Sequence, residues 1–556
     1  MFARRFGQAI RAAGGLVVAT VVFAAAAFAS PGANELVASS TKEGGEFRVG
    51  MFSILADGTT DPALVQNFGT SELLNATCAY LLNRPDVPLP AGLRLVPEVA
   101  ADYPVISRNG RTYTFTIRKG FRFSTGAPVT ARDFAASLNR ILNPALDVPA
   151  REEFAGVAGA RRVLDGKATT ASGVIVERGN LIVRLTKPDP IFPDKMSAVC
   201  VLPAGLAKAA TDPEGVRAPV PSAGPYFISE YTPGERVVLQ RNRFYGGRRP
   251  HHVDRFVVTI DSDPEALLDQ VERGELDYAF AGAATGQRAQ ELRKKYGVNK
   301  GQFWVQPSQF LRMFVLNTSR PLFRSNPKLR QAVNFAVDRA ALVREHGGNL
   351  VDTPTDQYLM PTRLGFRDER IYPLRGPDLR TARKLARGRT RSRKAVLYTP
   401  DAPASVARAQ HLQRNLKAIG LELEIKQISG GGSVYFPKLA TPGEPFDIAY
   451  VGWLDQFRDP GGFLSWIFDG RTIVNAPNFG DFSYFNSVKY NRLLDRAAQL
   501  TGEERYRAYG ELDVQISRDA APAAPYAYDN ALTLVSARTG CVVVNPFLDL
   551  AAVCLK

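Results

Sequence analysis

The side chains that most often perform acid–base, nucleophilic or metal chemistry are few in this sequence and poorly spaced for it. The four histidines are His251, His252, His346 and His411, and no two of them are spaced to share one helical face. The sequence lacks the Gly-x-Ser-x-Gly nucleophile elbow, the Gly-x-x-x-x-Gly-Lys-Ser/Thr phosphate loop and the His-Glu-x-x-His zinc motif. Pairs of carboxylates remain candidates for acid–base chemistry, since any two acidic residues can meet in a fold. We expect no metal site, no cofactor and no catalytic activity.

A glycine-rich stretch at residues 430–433 could in principle cradle a phosphate group. It reads Gly-Gly-Gly-Ser, without the spacing of a dinucleotide-binding turn and without the lysine of a phosphate loop. We interpret it as a flexible loop.

The amino terminus has the pattern of an export signal. Arg4, Arg5 and Arg11 precede an apolar run over residues 16–28, and Ala27-Phe28-Ala29 is a small-x-small cleavage site. We expect cleavage near Ala29, which makes residues 1–29 a signal peptide. The alternative is an uncleaved anchor, because residues 12–29 approach the roughly 20 apolar residues that span a bilayer. No cysteine lies near the cleavage site, so the sequence does not predict a lipoprotein.

Composition excludes several classes of protein. The chain has 556 residues, of which 45% are hydrophobic and 22% charged, as in globular proteins rather than in disordered or collagen-like chains. Its net charge is +16, and removal of the three arginines of the signal would lower this by three to +13. The basic residues are spread along the chain, which indicates loose attraction to anions and no nucleic-acid site.

Four cysteines in an exported protein favour disulfide bonds. Cys541 and Cys554 flank a turn near Asn545-Pro546, so their spacing favours a bond between them and leaves Cys78 with Cys200. Free buried thiols are the competing interpretation, whereas a metal site is disfavoured by the absence of a Cys-x-x-Cys pair.

The elements around these residues indicate a mixed α/β architecture. Residues 112–117 alternate polar and apolar side chains, as a half-buried strand does, and a turn followed by residues 121–123 predicts a hairpin. A helix over residues 404–419 leads into an alternating strand at 421–425. Further helix starts are predicted where a capping side chain precedes an apolar stripe, at Thr130, Asp263, Asn326 and Thr501. Strands and helices that alternate in this way form α/β layers.

Taken together, these segments resemble the family 5 extracellular solute-binding proteins of ABC importers, which include dipeptide- and oligopeptide-binding proteins. Residues 118–131, Arg-Lys-Gly-Phe-Arg-Phe-Ser-Thr-Gly-Ala-Pro-Val-Thr-Ala, look like the signature of that family. The other matching segments follow in the family's order, at residues 95–100, 222–227, 239–245, 274–277, 316–318, 330–339 and 447–453. The resemblance covers nearly all of the mature chain.

The resemblance implies an α/β fold with two lobes, of the periplasmic-binding-protein type (class II, cluster C), and an extra subdomain inserted in the first lobe. The first lobe would contain residues 44–70, 222–302 and 525–556. The inserted subdomain would span residues 71–221, and the second lobe residues 303–524. Each expected disulfide bond then lies within one unit and does not obstruct motion of the lobes.

The resemblance also implies the position of the ligand cleft. Phe52, Ser53 and Asp57 would face it from the loop after the first strand. In peptide-binding relatives an aspartate shortly after the Gly-Trp pair binds the free amino group of the ligand, and by alignment that position is Gln456 here, with Asp455 one residue earlier. Either Asp455 takes this role, or the protein holds no free amine at this point.

Three aromatic side chains complete the expected site, with core packing as the alternative for each of them. They are Trp453, Phe457 and Trp466.

The implied function is that of the substrate-binding component of an ABC importer. It would be a periplasmic monomer that captures oligopeptides by closure of its lobes and delivers them to permease subunits in the inner membrane. The same fold with a non-peptide solute, such as an oligosaccharide or a metal chelate, is the first alternative, and Gln456 supports it. A secreted hydrolase and a surface protein that binds anionic polymers are the others.

Overall fold

The computed structural model describes residues 42–52, 60–64, 68–148, 151–208, 219–280, 286–390, 393–454, 458–473 and 479–556. The strands are β1 (Glu46–Phe52), β2 (Leu82–Asn83), β3 (Val96–Pro97), β4 (Val105–Ile106), β5 (Thr112–Thr116), β6 (Val174–Glu177), β7 (Asn180–Arg184), β8 (Tyr226–Thr232), β9 (Arg236–Arg241), β10 (Arg255–Asp261), β11 (Tyr278–Phe280), β12 (Phe303–Leu316), β13 (Asp352–Pro354), β14 (Lys394–Pro400), β15 (Glu422–Ile428), β16 (Ile448–Leu454), β17 (Ala523–Val535), β18 (Thr539–Gly540) and β19 (Cys554–Leu555).

The helices are α1 (Phe68–Thr77), α2 (Ala131–Ile141), α3 (Ala160–Leu164), α4 (Phe192–Met196), α5 (Ala204–Lys208), α6 (Pro264–Glu272), α7 (Gly286–Tyr296), α8 (Pro327–Ala336), α9 (Arg339–His346), α10 (Leu379–Ala386), α11 (Pro403–Lys417), α12 (Gly432–Ala440), α13 (Pro460–Phe468), α14 (Val488–Gln499) and α15 (Gly502–Gln515).

Two long strands connect the two halves of the main sheet. Its strand order is β15-β14-β16-β12-β17-β11-β1-β10-β9-β8, and β13 pairs separately with β17. β12 and β17 are antiparallel over most of their length, from the pair Phe303–Leu534 to the pair Val315–Ala523. β12 also pairs with β16 of the second lobe, whereas β17 pairs with β11 of the first lobe. The two lobes therefore share this central pair of strands, and the expected α/β two-lobed fold is confirmed.

The hydrophobic core is divided in the same way as the sheets. A smaller sheet of order β4-β5-β7-β6 belongs to a cluster of buried side chains between residues 64 and 223. A second cluster combines residues 47–76 and 226–280 with residues 535–555, and two more lie between residues 311 and 528. These clusters follow the two lobes and the inserted subdomain, while the exact boundaries given above stay a prediction.

The predicted helix starts are confirmed where a side chain caps the first turn. Asp133 accepts a hydrogen bond from the backbone N–H of Thr130 at 2.8 Å, before α2. Asp263 accepts from the N–H groups of Glu265 and Ala266 before α6. Such caps satisfy N–H groups that have no partner within the helix, so a short sequence pattern is enough to determine them.

The predicted hairpin between residues 112–117 and 121–123 is wrong. β5 pairs with β4 on one side and β7 on the other, and residues 121–123 make only an isolated bridge from Arg122 to Pro128. β7 offers a register of five residues from Asn180 to Arg184, which a three-residue strand cannot match. Phe121 and Phe123 are buried instead in the core of the inserted subdomain.

Both expected disulfide bonds are present. Cys78 is bonded to Cys200 and Cys541 to Cys554, each with a Cα–Cα distance of 5.3 Å. The first bond closes the segment that carries the four-stranded sheet, and the second joins β19 to the turn after β18.

Candidate ligand-binding site

The Gly-Trp pair of the sequence lies at the carboxyl end of β16. This strand runs between β12 and β14, but β14 pairs only with its first residues, Ile448 and Ala449. The first four residues of β16 are buried, whereas Trp453 is half-buried and Leu454 is 37% exposed. The strand thus places Trp453 where the sheet meets open space.

A cavity of about 470 Å³ adjoins Trp453. Its walls come from α12, the end of β16 and the segment that leads into α14, and its lining residues are Gly432, Ser433, Phe436, Pro437, Gly452, Trp453, Leu454, Phe479 and Phe482. None of them carries a charge. Phe482 stacks on Phe436 with ring centroids 5.9 Å apart and meets the edge of Trp453 at 5.7 Å.

Gly452 permits the close packing behind this wall. A Cβ atom at this position would collide with the ring of Phe310. Phe310 lies on the neighbouring strand β12 and pairs with Leu454 of β16. Phe310 in turn lies under the guanidinium of Arg312, whose carbon is 5.0 Å from the ring centroid. The glycine therefore lets an aromatic ring support the back of the cavity.

The structure places the three described aromatic candidates in two different settings. Trp466 lies on α13 and is 48% exposed, and a Cβ at Gly480, the chain neighbour of Phe479, would be 3.3 Å from its ring. Phe52 ends β1 and packs against the buried cluster of Leu267 and Leu268. Trp453 thus lines the cavity, whereas Trp466 and Phe52 lie outside its lining, and Phe52 contributes to core packing.

The other predicted site residues lie outside the described part of the chain. They are Ser53, Asp57, Asp455, Gln456 and Phe457. Their roles stay predictions. On either side of residues 455–457, Leu454 ends β16 and Asp459 caps α13 through a 2.8 Å hydrogen bond from the N–H of Gly461.

A buried carboxyl group directly precedes the cavity residue Phe482 in the chain. Asp481 precedes Phe482 and accepts a hydrogen bond from the Ser483 hydroxyl at 2.5 Å. Burial raises the pKa of Asp481 to about 8, although hydrogen bonds from Ser483 and from backbone N–H groups favour its charged form. Burial of this group therefore favours its neutral form.

Sequence reasoning missed Phe436, Phe479 and Phe482, which together form most of the aromatic lining. The glycine stretch offered one signal, but its interpretation as a flexible loop is wrong at Gly432 and Ser433. Gly430 and Gly431 have positive φ values of 100° and 68°, and α12 begins directly afterwards at Gly432. The glycines form the turn that aims this helix, with Phe436 on it, at the end of β16.

The described part of the chain contains neither a candidate metal site nor a candidate membrane-spanning helix. No group of three or more His, Cys, Asp or Glu side chains there could hold a metal ion. Among the helices within the described ranges, none is long and apolar enough to cross a membrane.

Two lobes share a central pair of strands, and an apolar cavity lies on the second lobe. This arrangement is that of a solute-binding protein. The model of the bacterial extracellular solute-binding proteins, family 5, matches residues 94–475, and the chain belongs to this family.

Relatives support this assignment over most of the chain. The oligopeptide-binding protein OppA of Bacillus subtilis is 26% identical over 64% of this chain and 67% of its own length. A probable di/tripeptide-binding protein of Pseudomonas aeruginosa is 26% identical over 89% of this chain and 93% of its own. Among solved structures, clavulanic acid biosynthesis oligopeptide binding protein 2 superposes with a TM-score of 0.80 at 24% identity, covering 93% of this chain and 96% of that one.

Proposed function

We propose that this protein is the periplasmic substrate-binding component of an ABC importer and that it captures short peptides. The single observation that carries the proposal is the uncharged cavity at Trp453, within a family whose relatives here are named as oligopeptide- and di/tripeptide-binding proteins. In this reading, β12 and β17 are the hinge, and ligand that touches both lobes stabilises a closed form that permease subunits recognise. The protein acts as a monomer and catalyses no reaction.

Export is part of the proposal. Residues 1–29 direct the chain across the inner membrane and are removed near Ala29. Amino-terminal sequencing of protein recovered from a bacterial periplasm is expected to begin just after Ala29. A chain that keeps Arg4 and Arg5 and stays with the membrane fraction would contradict a diffusible protein and favour an anchor.

Native mass spectrometry tests the ligand class. Protein exported into a periplasm and purified gently is compared with the same chain after denaturation. A set of additional masses that match short peptides is expected. A single mass that matches an oligosaccharide or a metal chelate would overturn the peptide proposal while leaving the family assignment intact.

We further propose that Asp455, and not Gln456, binds the ligand's amino group, because a buried ammonium group needs a carboxylate partner. Asp455→Asn is expected to weaken peptide binding by roughly 2–5 kcal/mol, and Gln456→Ala by less. Titration calorimetry of the two variants with one peptide measures both losses. Equal small losses would exclude an amine anchor in this segment.

A further inference from the structure

The cavity at Trp453 differs in chemistry from a pocket that accepts any side chain. Among the described residues that line it, only Ser433 carries a hydroxyl, and its Oγ already donates to the carbonyl of Gly430 at 3.2 Å. The remaining lining is glycine, proline, leucine and four aromatic rings. A charged side chain placed there would lose part of its hydration, and none of the described residues that line the cavity offers it a counter-charge.

The mouth of the cavity is apolar as well. Leu454 is 37% exposed and Phe479 is 47% exposed, although both line the cavity. Exposed apolar side chains that adjoin one another mark binding surfaces in soluble proteins. The volume of about 470 Å³ falls within the range of roughly 300–1,000 Å³ found for pockets that bind small molecules.

The arrangement of the rings favours an aromatic or branched aliphatic guest. Phe436 and Phe482 are nearly parallel, with 18° between their planes, while Trp453 meets Phe482 at 70°. All three rings line the cavity, and another aromatic side chain can pack against them in the offset or edge-to-face geometries that such rings prefer.

We propose that this cavity is a specificity pocket that takes one large apolar side chain of the bound peptide and excludes charged ones. The inference rests on the proposed function and adds to it a preference at one position of the ligand. Phe436 and Phe482 form the inner wall, and Leu454 and Phe479 form the rim that the side chain passes. Replacement of a buried alanine side chain by phenylalanine or leucine there is expected to improve affinity about ten- to hundredfold.

A peptide series tests this preference. Starting from tetra-alanine, each position in turn is replaced by phenylalanine, leucine, lysine or glutamate, and dissociation constants are measured by calorimetry on protein freed of co-purified ligand by unfolding and refolding. We expect one position at which phenylalanine and leucine bind tighter than alanine, and lysine and glutamate weaker. Equal affinities for all the peptides would overturn the specificity pocket and leave the proposed function standing. Failure of every peptide to bind would overturn both.

Variants of the two rim residues assign the preference to this cavity. Phe479→Ala is expected to reduce the advantage of phenylalanine over alanine at the sensitive position at least threefold, and Leu454→Lys to make glutamate bind better than lysine there. Both side chains are exposed, so the fold should persist, which circular dichroism checks. Val488→Ala is the matched control, because Val488 is 65% exposed and does not line the cavity. An unchanged preference in both rim variants would place the selective site elsewhere and overturn the inference.

Discussion

Arg505 donates two hydrogen bonds to the carboxylate of Asp459, from Nε to Oδ2 at 2.8 Å and from Nη2 to Oδ1 at 2.9 Å. The two side chains are 4% and 9% exposed. Because Asp459 also caps α13, this ion pair fixes the helix that carries Trp466 against α15. The buried pair is thus part of the support of the candidate ligand site.

Arg505→Ala is expected to lower the free energy of unfolding by about 3–5 kcal/mol, since it leaves the Asp459 carboxylate buried without its counter-charge. Denaturant unfolding measures the loss. Asp495→Ala serves as the control, because Asp495 pairs with Arg471 at an exposed site and its removal should change stability little. Similar losses in the two variants would show that burial does not decide the strength of these pairs.

Arg312 connects three strands at the centre of the molecule. It donates to Asp529 of β17 at 2.5 and 2.7 Å and to the Tyr450 hydroxyl of β16 at 2.7 Å. Arg312→Met is expected to cost about 1.5–3 kcal/mol, because Asp529 then loses its charged partner. In the Arg312→Met background, Asp529→Asn should recover part of that loss.

The double-mutant cycle of Arg312→Met and Asp529→Asn measures their coupling, which we expect at about 0.5–3 kcal/mol. The corresponding cycle for the exposed pair Arg273 and Glu275 is the control and should show no measurable coupling. Additive effects in the first cycle would mean that the Arg312–Asp529 pair does not stabilise the central strands.

Asp549 makes stability depend on pH. Burial and the neighbouring Asp86 carboxylate raise the pKa of Asp549 to about 8, against the opposing effect of Arg249, and Glu72 also faces it. The folded state therefore keeps a proton that the unfolded chain loses near pH 4. The stability that the folded state gains from keeping this proton is fully present below about pH 4 and is lost as the pH rises to about 8.

Asp549→Asn should remove that dependence, because the amide can donate to Asp86 as the protonated carboxyl does but does not titrate. Between about pH 5 and pH 7 the free energy of unfolding of the variant should gain on that of the wild type by up to about 1.4 kcal/mol per pH unit. Unfolding curves across this range test it. Parallel pH profiles of the two proteins would contradict the assignment of the proton to Asp549.

The two disulfide bonds should differ in their contribution to stability. Their cysteines are separated by 122 and 13 residues, and a longer closed loop loses more entropy in the unfolded state. Replacement of Cys78 and Cys200 by serine is expected to cost about 5 kcal/mol, and replacement of Cys541 and Cys554 about 3 kcal/mol. Denaturant midpoints of the two double variants give the order. A larger loss for the Cys541–Cys554 pair would show that local packing outweighs loop entropy.

Sequence alone was sufficient where the physical cause is local. Asp133 and Asp263 cap helices through backbone groups two or three residues away, so their pattern is visible in a short window. The disulfide bond between Cys541 and Cys554 could also be predicted from the sequence, because the two residues flank one turn. The resemblance of the ordered motifs to those of family 5 solute-binding proteins then implied the two-lobed fold.

Tertiary structure decided what depends on segments far apart in the chain. β5 pairs with β7 and not with residues 121–123, which are nearer in the chain, because the longer register forms more backbone hydrogen bonds. The aromatic cavity arises in the same way, since Phe436, Trp453 and Phe482 lie on three separate segments that packing brings together. The family resemblance identified Trp453 as a candidate site residue. Only the convergence of these segments in the folded chain shows that the cavity beside it is lined by uncharged aromatic rings.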